Sequence, residues 1–250
     1  MLAEERRTEI LALVEKRRTI TVPELSELLG ISESTIRRDL TQLDRMKRLN
    51  KVHGGATALD AQYVLSDQTL SEKKLLHREQ KMQIGAYAAS LIRKDDFVFI
   101  DAGTSTDCLV DAIEETGARY VTNSIAHAHK LLQKGCRVIV PGGELKPTTE
   151  ALVGAEAIEL LLRYHFTIGF WGANGVSPET GFTTPESAEA AIKRVSMAQT
   201  KKKYILCDSS KFSLISPISF AAFDEAVILT DEIRDAKYKK YKNIKEVAKR

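Results

Sequence analysis

The sequence predicts an α/β protein in two parts, and three observations support this. Two short amphipathic segments on either side of a glycine near residue 30 predict a small N-terminal helical unit. Beyond residue 95, short apolar β-type runs alternate with helical segments, which predicts a mostly parallel sheet covered by helices on both faces. The length of 250 residues suits two domains, since typical domains run to roughly 100–200 residues. We expect domains at residues 1–57 and 75–250, joined by a linker at 58–74 that has no sustained period.

Composition excludes several classes of protein. With 43% hydrophobic and 28% charged residues, the chain is neither disordered nor fibrous. No apolar stretch approaches the 18 or more residues of a membrane span, and charges occupy the N-terminus, so we expect a cytoplasmic protein without a membrane partner. Cys108, Cys136 and Cys207 lie far apart with no CxxC spacing, which argues against disulfides, structural zinc and haem. The one close histidine pair, His127 and His129, points to different helix faces, so we expect no metal and no cofactor.

The net charge of +3 is unevenly distributed. Acidic residues prevail in the middle of the chain, whereas residues 31–53 carry six basic and three acidic side chains. The final residues 234–250 are more basic still, but such runs are usually solvated faces or frayed tails. Contact with a polyanion is therefore expected in residues 31–53.

The first two helices are marked by periodicity and capping residues. The first lies within residues 4–16, where the apolar positions fall at helical spacing. Thr21 and Glu24 then have the spacing of a capping box, and Pro23 lies in the first turn, where its missing N–H costs nothing. Gly30 ends this second helix.

A third helix follows at once, because residues 32–35 offer a new N-cap and Ile36, Leu40 and Leu43 recur on one face. Residues 50–55 then form a short strand-like piece and a glycine turn. Two helices joined by a glycine-containing turn form a helix-turn-helix, whose second helix enters the DNA major groove, and the β piece predicts a wing beside it. The alternative, a helical hairpin with a solvated charged face, stays open on spacing alone.

The side chains that face outward from this unit are suited to DNA. Arg37 or Arg38 in a bidentate contact with guanine would contribute roughly 1–3 kcal/mol of base discrimination, while hydroxyls near a helix N-terminus suit phosphate. The candidate DNA-binding residues are Ser32, Ser34, Thr35, Arg37, Arg38, Thr41, Arg45, Lys51 and His53.

The second domain begins with a helix, predicted from about residue 72 to residue 91. The strands expected after it are residues 97–100, 120–121, 138–140, 168–171, 204–206 and 226–229. Ligands of such sheets bind beyond the carboxyl ends of the strands, and here nearly every strand ends in small, hydroxylated or glycine residues. Glycines before a helix N-terminus let the backbone approach an anion, and Lys211 would add a positive charge for a phosphoryl group.

We therefore expect a phosphorylated ligand at this edge of the sheet, with amides and carboxylates for sugar hydroxyls. The candidate effector-binding residues are Asp101, Gly103, Thr104, Ser105, Thr106, Thr122, Asn123, Ser124, Gly142, Gly143, Gly172, Asn174, Gly175, Glu186 and Lys211. Each fragment alone is also compatible with ordinary turn chemistry, and their repetition at matching places favours a binding site.

Motifs in both parts resemble one family. Residues 32–40 (SESTIRRDL) and residues 52–56 (VHGGA) resemble the DNA-binding signature of the DeoR family of bacterial transcriptional regulators. DAGTST, VTNS, PGGELK, GFTTPE and DSSKF, spread over residues 75–231, resemble its sugar-phosphate sensor domain. The resemblance implies a winged helix-turn-helix joined to a sensor similar to ribose-5-phosphate isomerase and coenzyme A transferase folds.

The resemblance also implies a function. The sequence of residues 174–176 and 181–186 is similar to that of repressors of fructose phosphotransferase operons. This similarity implies a repressor that fructose 1-phosphate releases from DNA. Helix-turn-helix proteins usually bind DNA as symmetric oligomers, so the expected partners are operator DNA, a phosphorylated sugar and further copies of this chain.

Two alternatives remain. The regulated operon is that of another sugar, such as lactose with tagatose 6-phosphate as effector, or the chain is a sugar-phosphate isomerase fused to a DNA-binding domain. The isomerases carry an acidic loop where this sequence has residues 172–175 (GANG), so the carboxylates of that loop are missing. We therefore expect binding without catalysis, and no catalytic residues.

Overall fold

The computed structural model describes residues 3–17, 19–46, 48–52, 54–58, 62–63 and 70–247. The chain divides into two compact units. One spans Met1–Tyr63 with Ser213–Ile215, and the other spans Val64–Phe212 with Ser216–Arg250.

Helices and strands are numbered here along the chain. The described helices are α1 (Ala3–Arg17), α2 (Val22–Leu29), α3 (Glu33–Arg45), α4 (Leu70–Leu75), α5 (Arg78–Ala89), α6 (Thr104–Ala112), α7 (Ile125–Gln133), α8 (Ala155–Leu162) and α9 (Ser187–Ala198). The described strands are β1 (Thr19–Thr21), β2 (Asn50–Val52), β3 (Gly55–Thr57), β4 (Gln62–Tyr63), β5 (Phe97–Ile100), β6 (Arg119–Thr122), β7 (Arg137–Ile139), β8 (Glu144–Lys146), β9 (Ala151–Val153), β10 (Phe166–Gly172), β11 (Gly175–Ser177), β12 (Gly181–Thr184), β13 (Thr200–Leu206), β14 (Leu214–Ile215), β15 (Ile218–Ala221), β16 (Val227–Thr230) and β17 (Ile244–Glu246).

The first unit is a winged helix-turn-helix, as the sequence predicts. The capping box of α2 is present, because the Glu24 N–H donates to Thr21 Oγ1 at 3.3 Å and the Thr21 N–H donates to Glu24 Oε2 at 2.8 Å. Gly30 ends α2 at φ 64, a left-handed conformation that favours glycine. The wing is the antiparallel sheet β1-β3-β2. The predicted core face of α3, including Ile36 and Leu40, is fully buried.

The second unit is built on a seven-stranded parallel sheet with the order β17-β16-β13-β10-β5-β6-β7. This confirms the predicted mostly parallel α/β fold. Side chains alternate across the sheet, so that Val98 and Ile100 pack with α5, α6 and α7 in one core, whereas Phe99 packs with α8 and α9 in the other. The helices therefore form two separate layers on opposite faces.

Three features differ from the sequence-based expectation. The helix predicted over residues 72–91 is two helices, α4 and α5, since His77 takes a left-handed φ of 52 that an α-helix cannot contain. Antiparallel pieces, β8-β9 and β11-β12-β15, are inserted between the parallel strands. Part of the basic C-terminal run forms β17, the edge strand of the large sheet. Of the helices that the structure describes, none is both long and apolar enough to cross a membrane.

Candidate functional site

The outer surface of α3 presents the predicted DNA-contacting side chains. Arg38 is exposed and has no hydrogen bond or ion pair with any described residue, whereas Arg37 is paired with Glu33 at 2.9 Å. At the wing, Lys51 Nζ donates to Thr41 Oγ1 at 2.7 Å, which connects β2 to the middle of α3. Of the two arginines, Arg38 is therefore the one whose guanidinium is available to a base edge.

The other predicted residues of this surface lie at the two ends of α3. Ser32 Oγ lies 3.2 Å from Ser34 Oγ and 3.0 Å from Thr35 Oγ1, so three hydroxyls cluster at the helix N-terminus. Arg45 is exposed in the last turn. His53 lies outside the described residues.

Asp39 holds α3 in place, a role that sequence reasoning missed. Its side chain is buried between two arginines of α1, with Arg6 Nε at 2.5 Å and Arg7 Nε at 3.1 Å. Burial alone would raise the pKa of the Asp39 carboxyl, but the hydrogen bonds and charges of both arginines hold it below its usual value. The recognition helix is thus fixed to α1 by an ionised pair rather than by apolar packing alone.

A cavity in the second unit lies at the carboxyl edge of β5 and β10, where the sequence predicts the effector site. Six predicted residues line it: Gly103, Thr104, Ser105, Gly172, Asn174 and Lys211. Six charged or polar side chains that sequence reasoning missed line it as well: Lys73, His77, Lys81, Thr149, Glu189 and Lys193.

One wall of the cavity is suited to an anion. The backbone N–H groups of the first turn of α6 begin at Thr104, directly after Gly103, and such groups have no partner within their own helix. Lys81 from α5 stands in the same wall with only 4% of its surface exposed. Its Nζ donates to the Lys73 carbonyl oxygen at 2.5 Å, and no carboxylate of a described residue is within ion-pair distance. Burial lowers the pKa of Lys81, the nearby Asp208 carboxylate opposes that fall and Lys211 adds to it, so an anionic ligand would offset part of the electrostatic cost of the buried ammonium.

The opposite wall carries paired charges from α9 and the turn before β9. Lys193 makes a close ion pair with Asp101, and its Nζ also donates to the Gly172 carbonyl oxygen at 3.1 Å. Burial raises the pKa of the Asp101 carboxyl, and the Lys193 ammonium opposes that rise. Asp101 itself does not line the cavity, so its effect on a ligand passes through Lys193.

Glu189 is the carboxylate of this wall that lines the cavity. Its Oε1 accepts from Lys146 Nζ at 2.9 Å and from Thr149 Oγ1 at 2.6 Å. Burial would raise the pKa of Glu189, but Lys193, Thr149 and Lys146 together hold it below its usual value. Glu186, one turn earlier, is half-exposed, lies 3.5 Å from Lys146 Nζ and is not among the lining residues.

The remaining predicted residues do not line the cavity, and three of them hold loops or helix ends at the edge of the sheet. Asn123 Oδ1 accepts from the Ala102 N–H at 2.9 Å, and Ser124 caps α7 by accepting from the His127 N–H at 3.3 Å. Thr106 Oγ1 donates to the Gly103 carbonyl oxygen at 2.9 Å. The others in this group are Thr122, Gly142, Gly143 and Gly175.

The part of the chain that the structure describes contains no group of His, Cys, Asp and Glu side chains suited to a metal ion. Trp171 is fully buried and donates from its ring nitrogen to Ser196 Oγ at 2.9 Å, so it belongs to the core.

Comparisons with known proteins agree with this organisation. Residues 6–62 match the DeoR-like helix-turn-helix domain, and residues 76–232 match the DeoR C terminal sensor domain. The chain is 37% identical to the uncharacterized HTH-type transcriptional regulator FruR of Bacillus subtilis, with 96% of each chain covered. It is 32% identical to the lactose phosphotransferase system repressor of Streptococcus mutans, with 94% of each covered.

Among solved structures, ribose 5-phosphate isomerase A of Methanocaldococcus jannaschii aligns over 54% of each chain at 12% identity. Its TM-score of 0.41 is too low to support a functional conclusion. The two matched domains and the nearly full-length relatives confirm the resemblance noted in the sequence, and the chain belongs to the DeoR family of helix-turn-helix transcriptional regulators.

Proposed function

We propose that this protein represses a sugar-uptake operon, with an operon for fructose as the favoured case. A phosphorylated sugar bound in the cavity is proposed to release the protein from operator DNA. The observation that carries the proposal is Lys81, a buried ammonium without a carboxylate partner among the described residues, beside the N-terminus of α6. A phosphate group is the ligand that both features favour.

The DNA side of the proposal rests on α3 and the wing. Arg38 provides an exposed, unpaired guanidinium in the described part of the chain, and the hydroxyl cluster at Ser32 suits a backbone phosphate. Lys51 and Arg45 extend the positive surface along the helix. His53, Ser34, Thr35, Arg37 and Thr41 remain candidates for the same contact.

The cavity favours binding over turnover. Isomerisation of a sugar phosphate needs a carboxylate base with a pKa near the working pH. Glu189 has a lowered pKa and holds two hydrogen-bond donors, while Asp101 is occupied by Lys193. Glu189 is therefore a weak base, and Asp101, whose pKa burial raises, is paired with Lys193 and does not line the cavity, which supports a sensor rather than an enzyme.

Coupling between effector and DNA is proposed to pass through α4 and α5. Lys73 of α4, Lys81 of α5 and His77 between them line the cavity, and the two helices directly follow the residues that connect the two units in sequence. An effector changes DNA affinity only if it binds two arrangements of the protein unequally. Because Lys73 lies on α4 and Lys81 on α5, the affinity for the effector would depend on the positions of these two helices.

Fructose 1-phosphate is the proposed effector because residues 174–176 and 181–186 resemble the repressors of fructose phosphotransferase operons. The regulator FruR also has a higher identity to this chain than the lactose phosphotransferase system repressor, 37% against 32%. Tagatose 6-phosphate is the second candidate, since the lactose repressors of several species also align with nearly the full chain.

The test is fluorescence anisotropy of the full-length protein on DNA from upstream of its own gene. Fructose 1-phosphate, fructose 6-phosphate, tagatose 6-phosphate and ribose 5-phosphate are titrated at fixed salt, because phosphate contacts make DNA affinity strongly salt-dependent. Release by fructose 1-phosphate alone is the expected result. Specific binding that none of the four sugars changes would refute the effector class, and failure to bind any upstream DNA specifically would refute the repressor.

Two variants separate the two functions. Arg38→Ala is expected to abolish operator binding and to keep sugar-phosphate binding, whereas Lys211→Ala is expected to do the reverse. Arg234→Ala, which removes an exposed arginine from the second unit, is the matched charge control and should change neither. Full effector affinity in Lys211→Ala would show that the cavity is not the effector site.

A further inference from the structure

We propose that Glu189 determines effector specificity, by accepting a hydrogen bond from a sugar hydroxyl at the end of the cavity opposite the phosphate, so that the site selects monophosphorylated over bisphosphorylated sugars. The inference rests on the proposed function and adds the orientation and class of the ligand.

The residues that line the cavity come from both helix layers, because the cavity lies at the edge of the sheet that separates them. Lys81 on α5 and the first turn of α6 belong to the layer that packs with Val98 and Ile100. Glu189 and Lys193 lie on α9, in the layer that packs with Phe99. A ligand at this edge is therefore contacted by different elements at its two ends.

The lysines of the two walls differ in whether a carboxylate is already paired with them. On the α5–α6 side, Lys81 has no carboxylate partner among the described residues. On the α9 side, Lys193 is paired with Asp101, and Lys146 is paired with Glu189. Among the described residues, the α5–α6 wall offers in Lys81 a cation that an anion can meet without breaking an ion pair, so a single phosphate is expected to bind there.

Glu189 is positioned to accept a hydrogen bond from a hydroxyl. Both of its hydrogen bonds from described residues use Oε1, from Lys146 and from Thr149, and within the described ranges no group donates to Oε2. The side chain is ionised at neutral pH because Lys193, Thr149 and Lys146 together outweigh the effect of burial on its pKa. A charged carboxylate oxygen accepts strongly from a sugar O–H and repels a phosphate.

A second phosphate at the far carbon of the sugar would meet this wall. It would face the ionised Glu189 and would have to compete with Asp101 for Lys193. A hydroxyl at the same place gains a hydrogen bond instead. The sequence points to Glu186 for this role, but it is Glu189, one turn further along α9, that reaches the cavity.

The experiment measures binding of four ligands to the full-length protein by calorimetry: fructose 1-phosphate, fructose 6-phosphate, fructose 1,6-bisphosphate and inorganic phosphate. For the unmodified protein, the better monophosphate is expected to bind at least about tenfold more tightly than the bisphosphate. Bisphosphate affinity equal to or above that of both monophosphates would overturn the proposal, and this arm does not depend on any variant folding.

Glu189→Gln tests the residue itself, because it keeps the shape and removes the charge. The monophosphate is expected to lose about tenfold in affinity and the preference over bisphosphate to shrink by a similar factor, while inorganic phosphate binds within about twofold of the unmodified protein. Retained phosphate binding also shows that the variant is folded. Unchanged monophosphate affinity and unchanged selectivity in Glu189→Gln would overturn the proposal.

Glu159→Gln is the matched control, since Glu159 is an exposed glutamate on α8 whose ion pair within the described residues is with Arg163. It should behave as the unmodified protein does. If the unmodified protein binds none of the four ligands, the proposed fructose phosphate effector fails. If it binds them and the Glu189 variant is indifferent, only this inference fails.

Discussion

Replacing Lys81 with methionine should separate the cost of burying its ammonium from the benefit of binding phosphate. The side chain is 4% exposed, and among the described residues its Nζ donates one hydrogen bond, to the Lys73 carbonyl oxygen. Methionine fills similar space without charge. In the absence of ligand, Lys81→Met should therefore be as stable as the unmodified protein or more stable, because a desolvated charge is removed.

With ligand the effect reverses. Loss of a charge-assisted contact to phosphate should weaken binding by about 1.5–3 kcal/mol, which is roughly 10- to 150-fold. At a ligand concentration 100 times the original Kd, binding stabilises the folded protein by about 2.7 kcal/mol. A 100-fold weaker variant gains only about 0.4 kcal/mol at the same concentration. For a unit of this size, that is a ligand-induced rise in Tm of roughly 5–10 °C against about 1–2 °C.

Differential scanning calorimetry with and without the effector measures both quantities in one series. Lys242→Met, at an exposed position outside the cavity, is the matched control and should keep the full ligand-induced shift. A variant that keeps the full shift would show that Lys81 does not bind the phosphate. A large loss of stability without ligand would show that the buried ammonium is a structural requirement rather than a binding group.

Three further results are expected. Burial lowers the pKa of His127 to about 4, so its unfavourable effect on the free energy of unfolding is absent above about pH 6.5 and grows to about 3 kcal/mol as the pH falls towards 4. In urea titrations, His127→Gln should flatten this pH profile, and the exposed His129→Gln should leave it unchanged. Asp39→Asn should lower the melting temperature of the first unit and weaken operator binding without changing effector affinity, and unchanged operator binding would refute its positioning role. Gly181→Ala should lower the free energy of unfolding by at least about 2 kcal/mol more than Gly135→Ala does. Both glycines have positive φ, but an alanine at 181 would place its Cβ 2.1 Å from the Ala221 carbonyl oxygen, whereas the space at Gly135 is open. Equal losses of stability in the two variants would refute the clash.

Local patterns in the sequence were sufficient for the elements whose stability is local. The capping box at Thr21 and the glycine that ends α2 depend on neighbours within a few residues, and the structure confirms both. Most of the parallel strands are predictable because they are short apolar runs, and β5, β6 and β16 are largely buried on both faces. The edge strand β17 has exposed residues and no such run, and the sequence does not predict it. The same reasoning predicts that the turn after β5 is a candidate phosphate-binding loop, since a glycine before a helix N-terminus is visible in the sequence and the structure begins α6 directly after Gly103.

The missed residues of the cavity depend on tertiary contacts. Lys81 and Lys193 belong to no motif and reach the site only because α5 and α9 pack on opposite faces of the sheet. A signal was nevertheless present, since Lys81 precedes Ile84 and Ala88 at helical spacing, and so lies on the buried face of α5. A lysine on the apolar face of a helix needs a partner, and that requirement points to a ligand. The break at His77 had no comparable signal, because the residues around it favour helix.

The energy available at Lys81 is of the size that regulation requires. Typical allosteric coupling amounts to 1–3 kcal/mol, and a charge-assisted contact to phosphate contributes a similar amount. If that contact forms in only one setting of α4 and α5, it alone changes operator affinity by roughly 5- to 150-fold. The left-handed His77 lies at the junction of the two helices, so Lys73 of α4 and Lys81 of α5 reach the cavity from separate helices. An effector whose phosphate bypassed Lys81 would bind without regulating, which makes the Lys81 variant a test of coupling as well as of affinity.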